Sequence, residues 1–333
     1  MGNLDEHLLA DSPIVVLVLA GLLDYAIGDP WGWPHPVRVM GWVAQCYTQA
    51  VLRAFSAPMT LRWSGALLGV GLISGSGLVG WILVRGVRVL HPILGVAVES
   101  VLLATCFAGR SLRTAADEVL APLQAGDLET ARLILSRYVG RDTGELPEPE
   151  ILRAVLETVA ENAVDGVMAP FFYALVGLAL PNIGSVPLAL AYKAASTLDS
   201  TVGYREAPYT HLGWFSARGE DILTWLPCRL TVLTLAVLSG HPWQVWQLCQ
   251  RDANADPSPN AGWSECAYAA VLGVQVGGTN WYRGLAKSKP FLGDPVYEIT
   301  TARIAQALRL TRYSFLLWLL IGILLYLYSH YRR

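Results

Sequence analysis

The chain has 333 residues, 53% of them hydrophobic and 15% charged, against roughly 25% charged in an average soluble domain. Mean hydropathy is +0.41 and the formal net charge is -2, which excludes a basic nucleic-acid binder and points to a membrane-integrated protein. The five cysteines (Cys46, Cys106, Cys228, Cys249, Cys266) form no CxxC pair, which argues against a zinc or redox motif.

The N-terminus carries Asp5, Glu6 and Asp11 but no Lys or Arg. It lacks the basic start of a signal peptide, and the first apolar run reads as a retained anchor. A membrane helix needs about 20 mostly apolar residues. Candidate spans are 13–27, 64–84, 93–108, 170–194, 222–240 and 313–328. The second is Gly-rich and offers small residues, Gly69 to Gly75, for close helix contact. The fourth is broken between Pro181 and Pro187, leaving a kinked span, a re-entrant hairpin or two short helices.

Two polar regions remain, 109–169 and 241–312. The first predicts soluble helices: a periodic run from Arg110, a helix capped by Asp127, and a third opened at Pro147 and ending near Gly166. Basic residues flank both ends of the last apolar run, so orientation stays open. The expected fold is all-α: a polytopic integral membrane protein. Residues 1–333 would form one membrane-embedded catalytic unit, with the two polar regions as helical extramembrane parts.

Glu157, Glu161 and Asp165 are spaced i, i+4, i+8, which lines three carboxylates along one helix face. Like charges so placed want a cation, and Mg²⁺ suits carboxylate oxygens; a solvated acidic face is the competing reading. Asn162 adjoins the stripe, and ionisable groups at a membrane edge usually mark a site. Arg137 and Arg141 flank Gly140 and are placed either to clamp phosphate or to complement a helix end. Lys193 and Asp199 follow the broken segment, with a snorkelling lysine as the alternative; Arg205 follows, then Arg218 with Asp221, for which a salt-bridged rim is the alternative. His35 and Arg38 follow the first span as an acid, base or anion contact, or as part of a rigid turn. There is no P-loop, no Rossmann glycine fingerprint, no HExxH and no GxSxG.

Six segments in order resemble the adenosylcobinamide-phosphate synthase family, the CbiB/CobD proteins of cobalamin biosynthesis. They are DYAIGDPWGWPHPVR from Asp24, SRYVGRDT from Ser136, ETVAENAVDGVMAP from Glu157, YKAASTLDSTVGYR from Tyr192, WFSARGEDILTWLPCR from Trp214, and 252–282 with SPNAGW and LGVQVGG. Within the lysine segment the family usually has Asn where this chain has Ser196. The resemblance implies a multi-pass inner-membrane enzyme with a cytoplasmic active face. Such an enzyme joins adenosylcobyric acid to (R)-1-amino-2-propanol O-2-phosphate, or ethanolamine phosphate, using ATP and Mg²⁺. Other corrinoid-assembly enzymes are expected neighbours.

On that reading Glu157, Glu161 and Asp165 hold the metal. Arg137, Arg141, Arg205, Arg218, His35, Arg38, Asn162 and Asn260 contact substrate or phosphate. Lys193, Asp199 and Glu161 carry the chemistry, with Asp199 taking the ammonium proton. Flat contacts to the corrinoid would come from Trp31, Trp33 and Trp42, or from Trp263 and Trp281, with interfacial anchoring as the competing reading. The competing classes are an AmpE-like membrane sensor and a transporter.

Overall fold

The computed structural model describes residues 13–28 and 35–332. The N-terminal acids Asp5, Glu6 and Asp11, and the tryptophans Trp31 and Trp33, lie outside the described residues. The chain forms two compact units: one from residues up to Arg110, 169–223 and from Trp318 on, the other from 111–168 and 224–317.

The first unit is helical. It holds α1 (Pro13–Ala26), α2 (Pro36–Ala54), α3 (Pro58–Leu90), α4 (Pro92–Ala104), α8 (Ala169–Leu178) and α9 (Ser185–Val202), with parts of α5 (Gly109–Gln124), α10 (Trp214–Leu238) and α13 (Thr301–Tyr331). Helices α2, α3 and α4 each open with proline in the first turn, where its missing N–H costs no hydrogen bond. Ala44, Val51, Leu61, Leu68, Leu198, Val202 and Leu212 form one buried cluster. The glycines of α3 divide into two kinds. A Cβ on Gly65 would stand 1.9 Å from the Leu212 carbonyl oxygen, and one on Gly80 2.6 Å from Leu190. Gly71 and Gly75 face open space. Of the expected segment Gly69 to Gly75, the close contact is made at Gly69, where a Cβ would stand 2.3 Å from the Phe215 ring.

The expected break in 170–194 takes the form of two short helices, α8 and α9, separated at Pro181–Gly184. At about 1.5 Å per residue, ten-residue α8 is far too short to span. Among the described residues, four apolar stretches are long enough to cross a membrane: Pro58–Leu90, Pro92–Gln124, Trp214–Leu238 and Thr301–Ser329. Helix α1 has only 14 residues, about 21 Å by the same rise against a hydrocarbon core of about 30 Å.

The second unit gathers both polar stretches of the sequence. It holds most of α5, then α6 (Leu128–Leu135), α7 (Glu148–Asn162), α11 (Pro242–Asp252), α12 (Ala261–Leu272) and the antiparallel strands β1 (Val276–Tyr282) and β2 (Leu285–Leu292). Asp127 caps α6 as its sequence signal requires, accepting from the Thr130 amide at 3.0 Å. Helix α7 passes at Ala163 into a six-residue π-helix running to Met168, so the third carboxylate of the acidic stripe lies on wider turns than the first two. Such π segments are rare and concentrate at functional sites.

The hairpin is the element the sequence did not predict. Its two-residue turn is Arg283-Gly284, with φ of 53° and 77°. Positive φ at both positions is the primed geometry hairpins favour, yet Arg-Gly is not its usual sequence. The missing preference is supplied from outside. Asp142 accepts from the Arg283 amide at 3.0 Å and the Gly284 amide at 2.8 Å, and its own amide donates to the Trp281 carbonyl at 2.7 Å.

Candidate functional site

The site in the second unit is built around α7. Glu157 is 2% exposed. One oxygen accepts from Arg153 Nη1 at 2.8 Å and from the Gly277 amide at 2.9 Å; the other is paired with Arg141 Nη2. Burial pushes the Glu157 carboxyl up, but the two guanidinium groups outweigh it and hold it below the ordinary range. Arg153 also pairs with Glu150 and donates to Asn280 Oδ1 at 2.9 Å. Two motifs remote in sequence, SRYVGRDT and ETVAENAVDG, thus meet through Arg141 and Glu157. The cation that the acidic stripe required is present, and it is protein. Among the described residues no three acidic, His or Cys side chains converge on one point as metal ligands. With its lone pairs on Arg141, Arg153 and Gly277, Glu157 does not fit a metal-ligand role.

The Gly277 amide explains an irregularity in the sheet. The pairing slips between Val276 and Gly278, where Gly277 has φ of 95°. Its N–H is spent on Glu157 instead of the ladder, and a Cβ there would stand 2.0 Å from the Pro290 carbonyl oxygen. The bulge aims a backbone donor at a buried carboxylate.

One turn beyond Glu157, Glu161 is in the opposite condition. Its side chain is solvent-exposed and makes no hydrogen bond or ion pair among the described residues. Enough protein nevertheless surrounds the carboxyl for desolvation to raise it above its ordinary value; Lys289 and Arg141 oppose that rise, while Asp256 and Glu157 reinforce it. Facing it, Lys289 on β2 donates to both oxygens of Glu265 on α12, at 2.6 and 2.8 Å, and stands 3.6 Å from Asp256 Oδ2. Glu265 is 1% exposed; burial, only partly relieved by Lys289, lifts it to about 8. Burial alone would depress Lys289, but its acidic neighbours win and hold it raised and charged. Two buried polar atoms lack a hydrogen-bond partner here: Arg141 Nη1 and Asp256 Oδ2.

The other expected residues sort plainly. Asn162 is exposed and donates to the Thr158 carbonyl at 2.9 Å. Asn260 is 4% exposed, and its Oδ1 accepts from Arg229 at 3.0 Å, so its amide oxygen is already engaged. Arg137 is exposed beyond α6, and Asp165 is half-buried on the π-helix. In the first unit, His35 caps α2 by accepting from the Val37 amide at 3.3 Å, and Arg38 is exposed one turn on. Lys193 and Asp199 share α9 but stand about 120° apart around its axis at 3.6 residues per turn. Arg205 is exposed, and Arg218 sits 3.9 Å from Asp221, a salt-bridged rim.

Sequence reasoning missed Lys289, Glu265 and Asp256. Glu265 was the readable one: it is the single charge in the otherwise apolar or neutral helix AGWSECAYAAVL, and a charge so placed requires a buried partner. An open groove of about 1480 Å³ also lies in this unit, walled by Arg153, Trp281, Phe291, Tyr297 and the prolines 147, 149 and 295. It exceeds the roughly 300–1,000 Å³ of ordinary small-molecule pockets.

Fold and site together define a polytopic membrane protein that carries a polar unit with a cluster of buried ion pairs on α7, α12 and β2. The model of the CobD/CbiB protein family matches residues 17–311. The chain is 53% identical over 323 residues to the cobalamin biosynthesis protein CobD of Synechocystis sp., covering 97% of this chain and 94% of the relative. It is 44% identical to CobD of Geobacter metallireducens, covering 84% and 86%, and 40% identical to CbiB of Salmonella typhimurium, covering 89% and 92%. No solved structure matches. The chain belongs to the CobD/CbiB family, and its role is in cobalamin biosynthesis.

Proposed function

We propose that the protein is an ATP-dependent ligase that forms the amide between adenosylcobyric acid and (R)-1-amino-2-propanol O-2-phosphate, or ethanolamine phosphate, giving adenosylcobinamide phosphate. The observation that carries this reading is the pair of carboxylates one turn apart on α7. Glu157 is locked between arginines, while Glu161 is open, unpartnered and raised above its ordinary value. An exposed carboxylate raised above its ordinary value beside fixed cations suits proton transfer.

A carboxylate does not condense with an amine in water because its oxygen is a poor leaving group. Phosphoryl transfer from ATP turns that oxygen into phosphate, with ADP released. The amine nitrogen then attacks the acyl carbon, the C–O bond to phosphate breaks, and Glu161 takes the proton the nitrogen sheds. Fixed cations favour phosphoryl transfer by holding the charge; Arg141 and Lys289 are so placed in the second unit. Lys193, Asp199, Arg205, Arg218, His35, Arg38 and Arg137 stay candidates for the nucleotide and corrinoid. Mg²⁺ enters this scheme with ATP as a partner of its phosphates, and Glu161 and Asp165 stay the candidate carboxylates for it. The wide groove with exposed Trp281, Phe291 and Tyr297 suits a large ligand with apolar faces. The inner membrane, with the active face toward cytoplasmic ATP, is the location this reading requires.

The test is turnover by detergent-purified protein supplied with adenosylcobyric acid, ATP, Mg²⁺ and amino-alcohol phosphate, followed by corrinoid mass. The expected product is heavier by the condensed arm and absent without ATP. No product with either amino-alcohol phosphate, from folded protein, would overturn the proposal.

A further inference from the structure

The open groove of about 1480 Å³ lies wholly in the second unit, and its lining mixes two chemistries. Trp281, Phe291 and Tyr297 give it exposed aromatic faces. Three glutamates give it charge: Glu145 from the loop before α7, Glu148 from the first turn of α7, and Glu298 from the segment after β2. All three are exposed, and among the described residues none makes a hydrogen bond or an ion pair. Glu148 also complements the N-terminal end of its helix. Glu145 and Glu298 lie in neither helix nor strand, so no cap or ladder accounts for them; what they share is the groove. Among the described residues of the lining the one basic group is Arg153, and its guanidinium is spent on Glu150, Glu157 and Asn280. The groove therefore presents flat apolar faces in a field of uncompensated negative charge.

Such a field sorts ligands by their charge. Resting on the ligase reading, the groove receives the corrinoid. A corrin ring around an alkylated cobalt(III) carries a single positive charge, so the glutamates attract it. Adenosylcobyric acid has one free carboxylate among peripheral arms that are otherwise amides, and that one can point out of an open groove toward the reaction. A second carboxylate, on any other arm, is carried against like charge with no free cation to receive it. Apolar walls alone would not tell the two apart, because a carboxylate and a carboxamide have nearly the same shape. We propose that Glu145, Glu148 and Glu298 make the groove a charge filter: it admits a corrinoid whose other carboxyl groups are amidated and rejects one that keeps a further free carboxylate. Discrimination comes from repulsion of the wrong ligand, not from a contact with the right one. The three glutamates are specificity-determining residues, and none touches the reacting atoms.

The test is equilibrium binding to the full chain in detergent, without ATP, at about 0.05 M salt, with turnover measured in parallel. Three corrinoids are compared. They are adenosylcobyric acid, the diacid made by hydrolysing one of its carboxamides, and the methyl ester of that new acid, which keeps the arm without its charge. Wild type should bind the diacid about tenfold more weakly than the other two, and about 0.5 M salt should narrow the gap. In Glu145→Gln/Glu298→Gln the gap should fall to about threefold or less, with the melting midpoint unchanged, as both positions are exposed and unpaired. Equal binding of diacid and parent to wild type overturns the inference, and so does a double variant that keeps the whole gap. An ester rejected as strongly as the diacid also overturns it, since shape and not charge then decides. The expected gap without turnover of the parent leaves the filter and removes the ligase reading. Turnover without the gap leaves the ligase reading and removes the filter. Wild type that binds none of the three removes the filter as well.

Discussion

Replacing Glu157 by Gln is the sharpest test of how the second unit is held together. The change is nearly isosteric, so it leaves no cavity. It removes the charge from a 2% exposed group that faces two guanidinium groups, one of them 10% and the other 8% exposed. Removing one partner of a buried pair costs about 3–5 kcal/mol, because the remaining charges stay buried without compensation. For a unit of this size each kcal/mol lowers the midpoint by about 2–4 °C, so a fall of roughly 10 °C or more is expected. The assay is thermal unfolding in detergent, with Glu161→Gln as the internal comparison. That change lies one turn away on the same helix, touches no ion pair, and should move the midpoint by no more than about 0.5 kcal/mol. Equal midpoints for the two variants would refute the argument. So would Glu157→Gln melting within about 2 °C of wild type.

Other expectations follow from the same geometry. Glu161→Gln should lower turnover by about 10²–10⁴-fold, the usual worth of a general base, while the melting midpoint holds; turnover near wild type would remove Glu161 as the base. Gly277→Ala should disrupt the bulge, since its Cβ meets the Pro290 carbonyl oxygen at 2.0 Å and φ is 95°; faster amide exchange across β1 would show it, and wild-type protection would contradict it. Glu265 is raised by burial from 4.5 to about 8. Between those values the folded state holds the extra proton, so this contribution to stability is complete below 4.5 and lost as pH rises through about 8. Melting midpoints should fall over that window, and Glu265→Gln should flatten the fall; an unchanged slope would sink the assignment.

The helical architecture was legible because its signals are local. Proline at helix starts, Asp127 at a cap, and long apolar runs act within a few residues of where they are written. The hairpin was not legible. Its turn residues are ordinary without Asp142, which lies 141 residues before Arg283. The acidic stripe was found, but its meaning depended on cations elsewhere in the chain. Arg153 lies on the same helix, yet Arg141 precedes it across a loop and Lys289 comes from a strand. Spacing revealed that Glu157 and Glu161 sit one above the other; only the fold shows that one is locked and the other open. Lys193 and Asp199 illustrate the converse, since closeness in sequence put them on different sides of one helix.

The hydrogen bond from the Gly277 amide to Glu157 joins residues 120 positions apart. A ribosome adding about 5–20 residues per second makes Glu157 roughly 6–24 s before its partner exists. In that interval the apolar stretch Trp214–Leu238 is synthesised and must find the bilayer. The nascent chain therefore carries Glu157 through membrane insertion with both its arginines already made but without its backbone donor, and the second unit closes only after the strand arrives. Chains interrupted before Gly277 should be marked for proteolysis even where every earlier helix has formed.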